Sequence, residues 1–66
     1  MKTFEYIVHL ICGGEFSAES RLDITHFFTK GREDGYLMCR SELGNRVIVP
    51  IEQVEYVEVI RGEKNN

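Results

Sequence analysis

RVIVPIEQVEYVEVI, residues Arg46–Ile60, holds two apolar runs separated by a proline and a short polar stretch. Valine, isoleucine and tyrosine fit a pleated, half-buried surface, so both runs read as strands. Proline has no N–H to donate to a ladder and belongs at a strand end or a sheet edge. Its fixed φ also suits the first position of a helical turn. The stretch therefore predicts a strand over Val47–Val49, one 3₁₀-like turn over Pro50–Gln53, and a last strand over Val54–Ile60.

Upstream, YLMCR at 36–40 predicts the partner strand and SELGN at 41–45 the hairpin loop, where Gly44 and Asn45 can take left-handed backbone values. ITHFFTK at 24–30 is rich in β-branched and aromatic residues and reads as a strand or else an irregular loop, ended by turn residues in GREDG at 31–35. FEYIVHLIC, Phe4–Cys12, alternates as a strand. Phe4, Tyr6, Val8, Leu10 and Cys12 share one face; Glu5, Ile7, His9 and Ile11 share the other. Gly13-Gly14 supplies a tight turn with positive φ. EFSAESRLD, Glu15–Asp23, follows as an antiparallel strand with Phe16, Ala18, Ser20 and Leu22 on one side. No amphipathic helix with a 3.6-residue stripe stands out. Residues 1–61 are expected to form a single small β-barrel domain and residues 62–66 a flexible polar tail.

At 66 residues the chain lies near the lower size limit for folding alone, where a domain buries about 60% of the surface its unfolded chain exposes. Small domains compensate with disulfides, metals or oligomerisation. Its 42% hydrophobic and 29% charged residues fit a globular chain, not a disordered one. No apolar run approaches the roughly 18 residues of a membrane span. Glu5 and His9 interrupt any signal-like segment, so a cytoplasmic location is expected. A net charge of −3 disfavours nucleic acid, whose binding relies on Lys and Arg neutralising phosphates. Cys12 and Cys39 are expected as free thiols in a reducing compartment.

Five or six short strands with a one-turn helix before the last is the layout of small SH3-like barrels. Within that class, LICGGEFSAESRLD resembles the first motif of the Sm-like group: a glycine near the first turn, a bent second strand, then an acid. RVIVPIEQVEYVEVI resembles its second motif of strand, short turn and strand. The resemblance implies an all-β fold, a five- to six-stranded SH3-like/Sm-like barrel with a one-turn 3₁₀ helix before the last strand. It also implies self-association through strand edges. RNA binding does not carry over, because in Asp23-Ile24-Thr25-His26 only the acid matches and no asparagine follows. The N-terminal helix common in that group has no counterpart, since strand-like residues begin by Phe4.

Chemistry-bearing residues are sparse. His9, Cys12, His26 and Cys39 are metal-ligand types, but no tight ligand pair of the kind structural zinc takes is present, and no metal or other cofactor is expected. Ser20, Asp23 and His26 lie close in SRLDITH without the strained elbow or pocket that a nucleophile needs, so no catalytic residue is assigned. Arg40 and Arg46 flank the SELGN loop with Ser41 and Asn45 beside them and Arg32 on a neighbouring loop, a grouping suited to a phosphorylated small molecule or nucleotide at a subunit interface. The last strand presents Val54, Tyr56, Glu58 and Ile60, and Tyr36 joins them as a partner-binding set. Tyr6, Phe27 and Phe28 are further aromatic anchors. A long apolar edge strand is an aggregation hazard unless it meets a partner, most simply another copy of the chain. The expected function is a non-enzymatic binding protein acting through protein–protein contacts, homo-oligomeric, in the style of accessory or inhibitor proteins of bacteria or their phages.

Overall fold

Alternation along β1 (Lys2–Leu10) sends Tyr6 and Val8 to one face, where both are buried, and Ile7 and His9 to the other. The computed structural model describes residues 2–65, with side chains over 3–60. β1 pairs antiparallel with β2 (Glu15–Ser20), Tyr6 opposite Ala18 and Val8 opposite Phe16. β3 (Tyr36–Arg40) and β4 (Arg46–Pro50) form a second hairpin, with Leu37 opposite Val49 and Cys39 opposite Val47. β5 (Val54–Asn65) returns to the other side of β1, giving the order β4-β3-β2-β1-β5 with all neighbours antiparallel.

Each hairpin loop turns on one left-handed glycine. Gly13 (φ 97°) donates its N–H to the Leu10 carbonyl, and Gly44 (φ 83°) to the Ser41 carbonyl, both at 2.9 Å. A side chain is strained at these φ values. Because β1 stops at Leu10, Cys12 lies exposed in the first loop and not on the inner face where strict alternation puts it.

Residues 24–34 are helical. α1 (Ile24–Asp34) replaces the strand or loop that local propensity favours, and GREDG supplies its last residues and its cap. Asp23 caps the start by accepting the His26 N–H at 2.9 Å. Gly35 (φ 87°) ends it by donating to the Gly31 carbonyl at 2.8 Å. Ile24, Phe27, Phe28 and Gly31 recur at i, i+3, i+4 and i+7, the spacing of one helix face. Packing decides against β-propensity here, as tertiary context often does. Phe27 stacks on Tyr6 with ring centroids 4.7 Å apart, a place no strand on the sheet plane offers it.

α1 thus covers the inner face. Tyr6, Val8, Ala18, Leu37, Cys39 and Val49 rise from four strands to meet Phe27. Cys39 behaves as a small core hydrophobe, 1% exposed, and both cysteines are free. The expected closed all-β barrel is not formed: β4 and β5 are the sheet's two edges, with no register pair joining them among the described residues. The helix provides the inner cover that closure would otherwise give. The 3₁₀ turn (Ile51–Gln53) does precede the last strand. It is tied to both halves of the sheet, the Ile51 N–H donating to the Gly35 carbonyl and the Gln53 carbonyl accepting from Ile11, each at 3.0 Å.

Pro50 sits at the open edge of the sheet. The Ser41 N–H donates to the Asn45 carbonyl at 2.9 Å, and hydrogen-bonded pairs alternate along an antiparallel ladder. Cys39–Val47 and Leu37–Val49 are therefore the bonded pairs, so Arg46, Ile48 and Pro50 turn their backbone groups to the open edge. A missing N–H costs the ladder nothing there.

β5 is irregular where β4 is not. Its pairing with β1 shifts register three times, between Thr3 and Glu5, between Glu5 and Tyr6, and between His9 and Leu10. The last two leave Ile60 and Glu55 as the extra residues. The strand continues to Asn65, opposite Lys2, through residues that the sequence assigns to a tail; Asn66 lies outside the described residues.

Gly31 is where the helix meets the sheet. A Cβ built there would collide with Leu37 Cδ2 and stand 3.1 Å from its Cγ, and Leu37 is a buried core side chain that would have to shift. In an exposed helix Gly→Ala stabilises by up to about 1 kcal/mol. At this position Gly31→Ala is expected to destabilise by about 1–3 kcal/mol, the range for overpacking, measured by urea denaturation.

Candidate functional site

With α1 on one face, the opposite face of the sheet is uncovered. Strand parity sets out its side chains: Tyr36, Met38 and Arg40 from β3, Arg46, Ile48 and Pro50 from β4, Glu15, Ser17 and Glu19 from β2, Glu5, Ile7 and His9 from β1, and Tyr56 and Glu58 from β5. Basic groups gather on β3 and β4. Acidic groups gather on β1, β2 and β5.

The arginine grouping is brought together in part. Arg40 and Arg46 stand directly opposite across the β3–β4 pair. Like charges so placed oppose folding unless something neutralises them. Arg40 Nη1 also reaches the Gly44 carbonyl at 3.4 Å. Ser41 and Asn45 are occupied in the loop itself, the Asn45 N–H donating to Ser41 Oγ at 3.3 Å. Arg32 does not join them: it lies in the last turn of α1, in the layer that covers the other face. Beside Arg40 a groove of about 480 Å³ is lined by Ile7, Phe16, Ser41 and Leu43, and also by Glu15 and Glu42, which oppose an anion.

The partner-binding set divides. Tyr56 and Ile60 are exposed on β5, 53% and 52%, whereas Val54 is half-buried against the core. Tyr36 lies on β3, separated from β5 by β2 and β1. Of the other aromatic anchors, Tyr6 and Phe27 are core residues and cannot meet a partner, and Phe28 is half-buried.

One arrangement escapes the sequence reading altogether. His9 stacks on Tyr56 with centroids 4.2 Å apart and planes 18° apart. Its Nε2 lies 3.0 Å from Glu58 Oε1 and its Nδ1 3.4 Å from Glu15 Oε2. The contact ties β2, β1 and β5 together across the open face. Only the bulge at Glu55, which resets β5, brings Tyr56 opposite His9. The two carboxylates sit at opposite ends of the ring and do not converge on a common point. Among the described residues, no group of three or more His, Cys, Asp or Glu is arranged to hold a metal ion.

SRLDITH resolves into a helix start. Ser20 Oγ accepts the Leu22 N–H at 3.0 Å, and Asp23 Oδ1 accepts the His26 N–H and meets His26 Nδ1 at 2.7 Å. The His26 backbone N–H first, then its ring, hold the Asp23 carboxyl below its ordinary 3.8. Among the described residues no helix is long and apolar enough to cross a membrane. Comparison with known proteins finds no matching family model, curated protein or solved structure.

The pH dependence of stability follows from three groups. Burial pushes the Cys39 thiol up from 9.0 to about 11, and burial, then the Asp23 charge, raises the Tyr6 phenol above 10.0. Both favour the neutral form in the fold, so their contribution is intact below pH 9.0 and is lost as pH rises through about 11. Asp23 acts in the opposite sense, contributing above pH 3.8 and losing that contribution below it. Urea midpoints are expected to fall on both limbs, with Cys39→Ala flattening the alkaline limb and Asp23→Asn the acid one. In the folded protein Ellman's reagent is expected to find Cys12 alone; in denaturant it should find Cys39 as well.

Proposed function

We propose that the chain is a non-enzymatic binding protein that works through protein–protein contacts, first of all with copies of itself. The observation that carries this reading is the β5 edge. β5 shows no register partner on its outer side among the described residues, yet it exposes Tyr56 on the open face, Val59 on the opposite face and Ile60 at a bulge. Large apolar groups on an unpaired edge either pair or aggregate. The bulges at Glu55 and Ile60 break the regular ladder, so the contact is made by side chains as well as by strand addition. The opposite edge, β4, is regular and carries exposed Ile48 with Arg46, whose charge is opposite to that of Glu55 and Glu58. A β4 edge meeting a β5 edge gives a head-to-tail assembly, which closes into a ring when the rotation permits. An accessory or inhibitory role, in the style of bacterial or phage proteins, would use the same surfaces toward a second protein.

A second reading rests on Arg40 and Arg46. Their direct cross-strand opposition favours an anion between them, such as the phosphate of a small phosphorylated molecule.

Light scattering during size exclusion is expected to give a mass of at least two chains, and Ile60→Lys is expected to give the mass of one chain with an unchanged circular dichroism spectrum. A wild-type chain that is monomeric at high concentration overturns the first reading. For the second, nucleotide monophosphates should raise the melting midpoint of the wild type by mass action and leave that of Arg40→Ala unmoved.

A further inference from the structure

β2 and β3 are neighbours joined by a single register pair, Ser17 opposite Arg40. Continuing that register would set Glu19 opposite Met38, but the strands part before it is reached. The direction of the backbone groups there follows from the hairpins. The Leu10 N–H donates to the Gly14 carbonyl at 2.8 Å, so by alternation Val8–Phe16 and Tyr6–Ala18 are bonded pairs. Glu15, Ser17 and Glu19 must then point their N–H and C=O toward β3. On β3, Tyr36, Met38 and Arg40 point theirs toward β2, since their pairs with β4 are the non-bonded ones. Ser17 and Arg40 meet. Glu19, Met38 and Tyr36 aim backbone donors and acceptors into the gap.

The gap is a cleft of about 290 Å³. Its floor is apolar, made by Leu22, Phe27, Leu37 and the bare backbone of Gly31. Its rim carries Glu19 on one side and Lys30 and Asp34 on the other, the last two already paired at 3.4 Å. We infer that this cleft is a binding site for an uncharged planar heterocycle of the nucleobase class. Three features select that chemistry. Two facing rows of backbone groups satisfy a flat ring that carries donors and acceptors in its plane, while the apolar floor takes up ring surface. The wedge closes at Ser17–Arg40, so it admits a compact ring and not an extended peptide, which needs clearance along its whole length. The rim holds two carboxylates and one lysine already engaged, which disfavours a phosphate or any other anion. The site is distinct from the β5 edge and from the Arg40–Arg46 pair, so it stands or falls independently of both.

The test is a ¹⁵N–¹H titration of the full chain with adenosine, cytidine and uridine, with an extended apolar hexapeptide and inorganic phosphate as controls. Saturable shifts with at least one nucleoside are expected, centred on the amides of Glu19, Gly31, Tyr36 and Met38. Glu19→Trp and Met38→Trp, which cover the mouth from exposed positions, are expected to weaken binding at least tenfold; Arg40→Ala should leave it unchanged. Absence of saturable shifts with every nucleoside overturns the proposal. So does saturation by the peptide or by phosphate alone at these amides. Mouth variants that bind like the wild type overturn it too, and if neither variant folds, the wild-type titration decides.

Discussion

The contact on which the rest depends is that of Tyr6 with what crosses over it. Its ring stacks on Phe27 at 4.7 Å and its hydroxyl donates to the Leu22 carbonyl at 2.6 Å. One side chain at the middle of β1 therefore fixes both the helix and the segment leading into it. A buried phenol needs such a partner, because an unmade hydrogen bond in the interior costs about 1–3 kcal/mol. With Leu22 held, Asp23 stands at the cap position and α1 begins where Phe27 can reach the core. The uncovered face follows from α1 lying on one side only, and α1 also lines the β2–β3 cleft.

Much of this was legible because strand parity is a rigid code. The alternation in FEYIVHLIC separates the Tyr6–Val8 face from the Ile7–His9 face, although Tyr6 also reads as a partner anchor when it is in fact core, and the β3–β4 hairpin and the proline-stopped edge follow from YLMCR, SELGN and Pro50. The helix was not read, because Ile24, Thr25, Phe27 and Phe28 each favour a strand singly while their spacing favours a helix. In a segment of 11 residues with a glycine inside it, the two signals conflict, and only the partner across the core decides. Asp23 three residues before His26 was the signal available, a capping residue ahead of an apolar run.

The candidate surfaces were legible in a different measure. Arg40 and Arg46 stand opposite one another because a hairpin fixes its own register, which the sequence shows. Arg32 was misplaced with the helix. Tyr56 and Glu58 were recognised on an edge strand, but their contact with His9 depends on a bulge at Glu55, and no pattern of apolar and polar residues announces an extra residue in one strand. The opening between β2 and β3 is likewise invisible in sequence, since both strands alternate as though fully paired.

The pairing of β1 with β5 carries a consequence for how the molecule assembles. The two hairpins are closed by loops of a few residues and can form from neighbouring parts of the chain. By contrast, Tyr6 meets Val59 and Val8 meets Val57 across nearly the whole polypeptide. Closing so large a loop carries an entropic penalty that is met before its contacts return anything. Until β5 docks, β1 is itself a bare margin of the sheet, with Tyr6 and Val8 half-covered. A nascent chain halted before Val54 would present that margin to its surroundings, so the interval between making the helix and completing the sheet is when this protein is most vulnerable to mispairing.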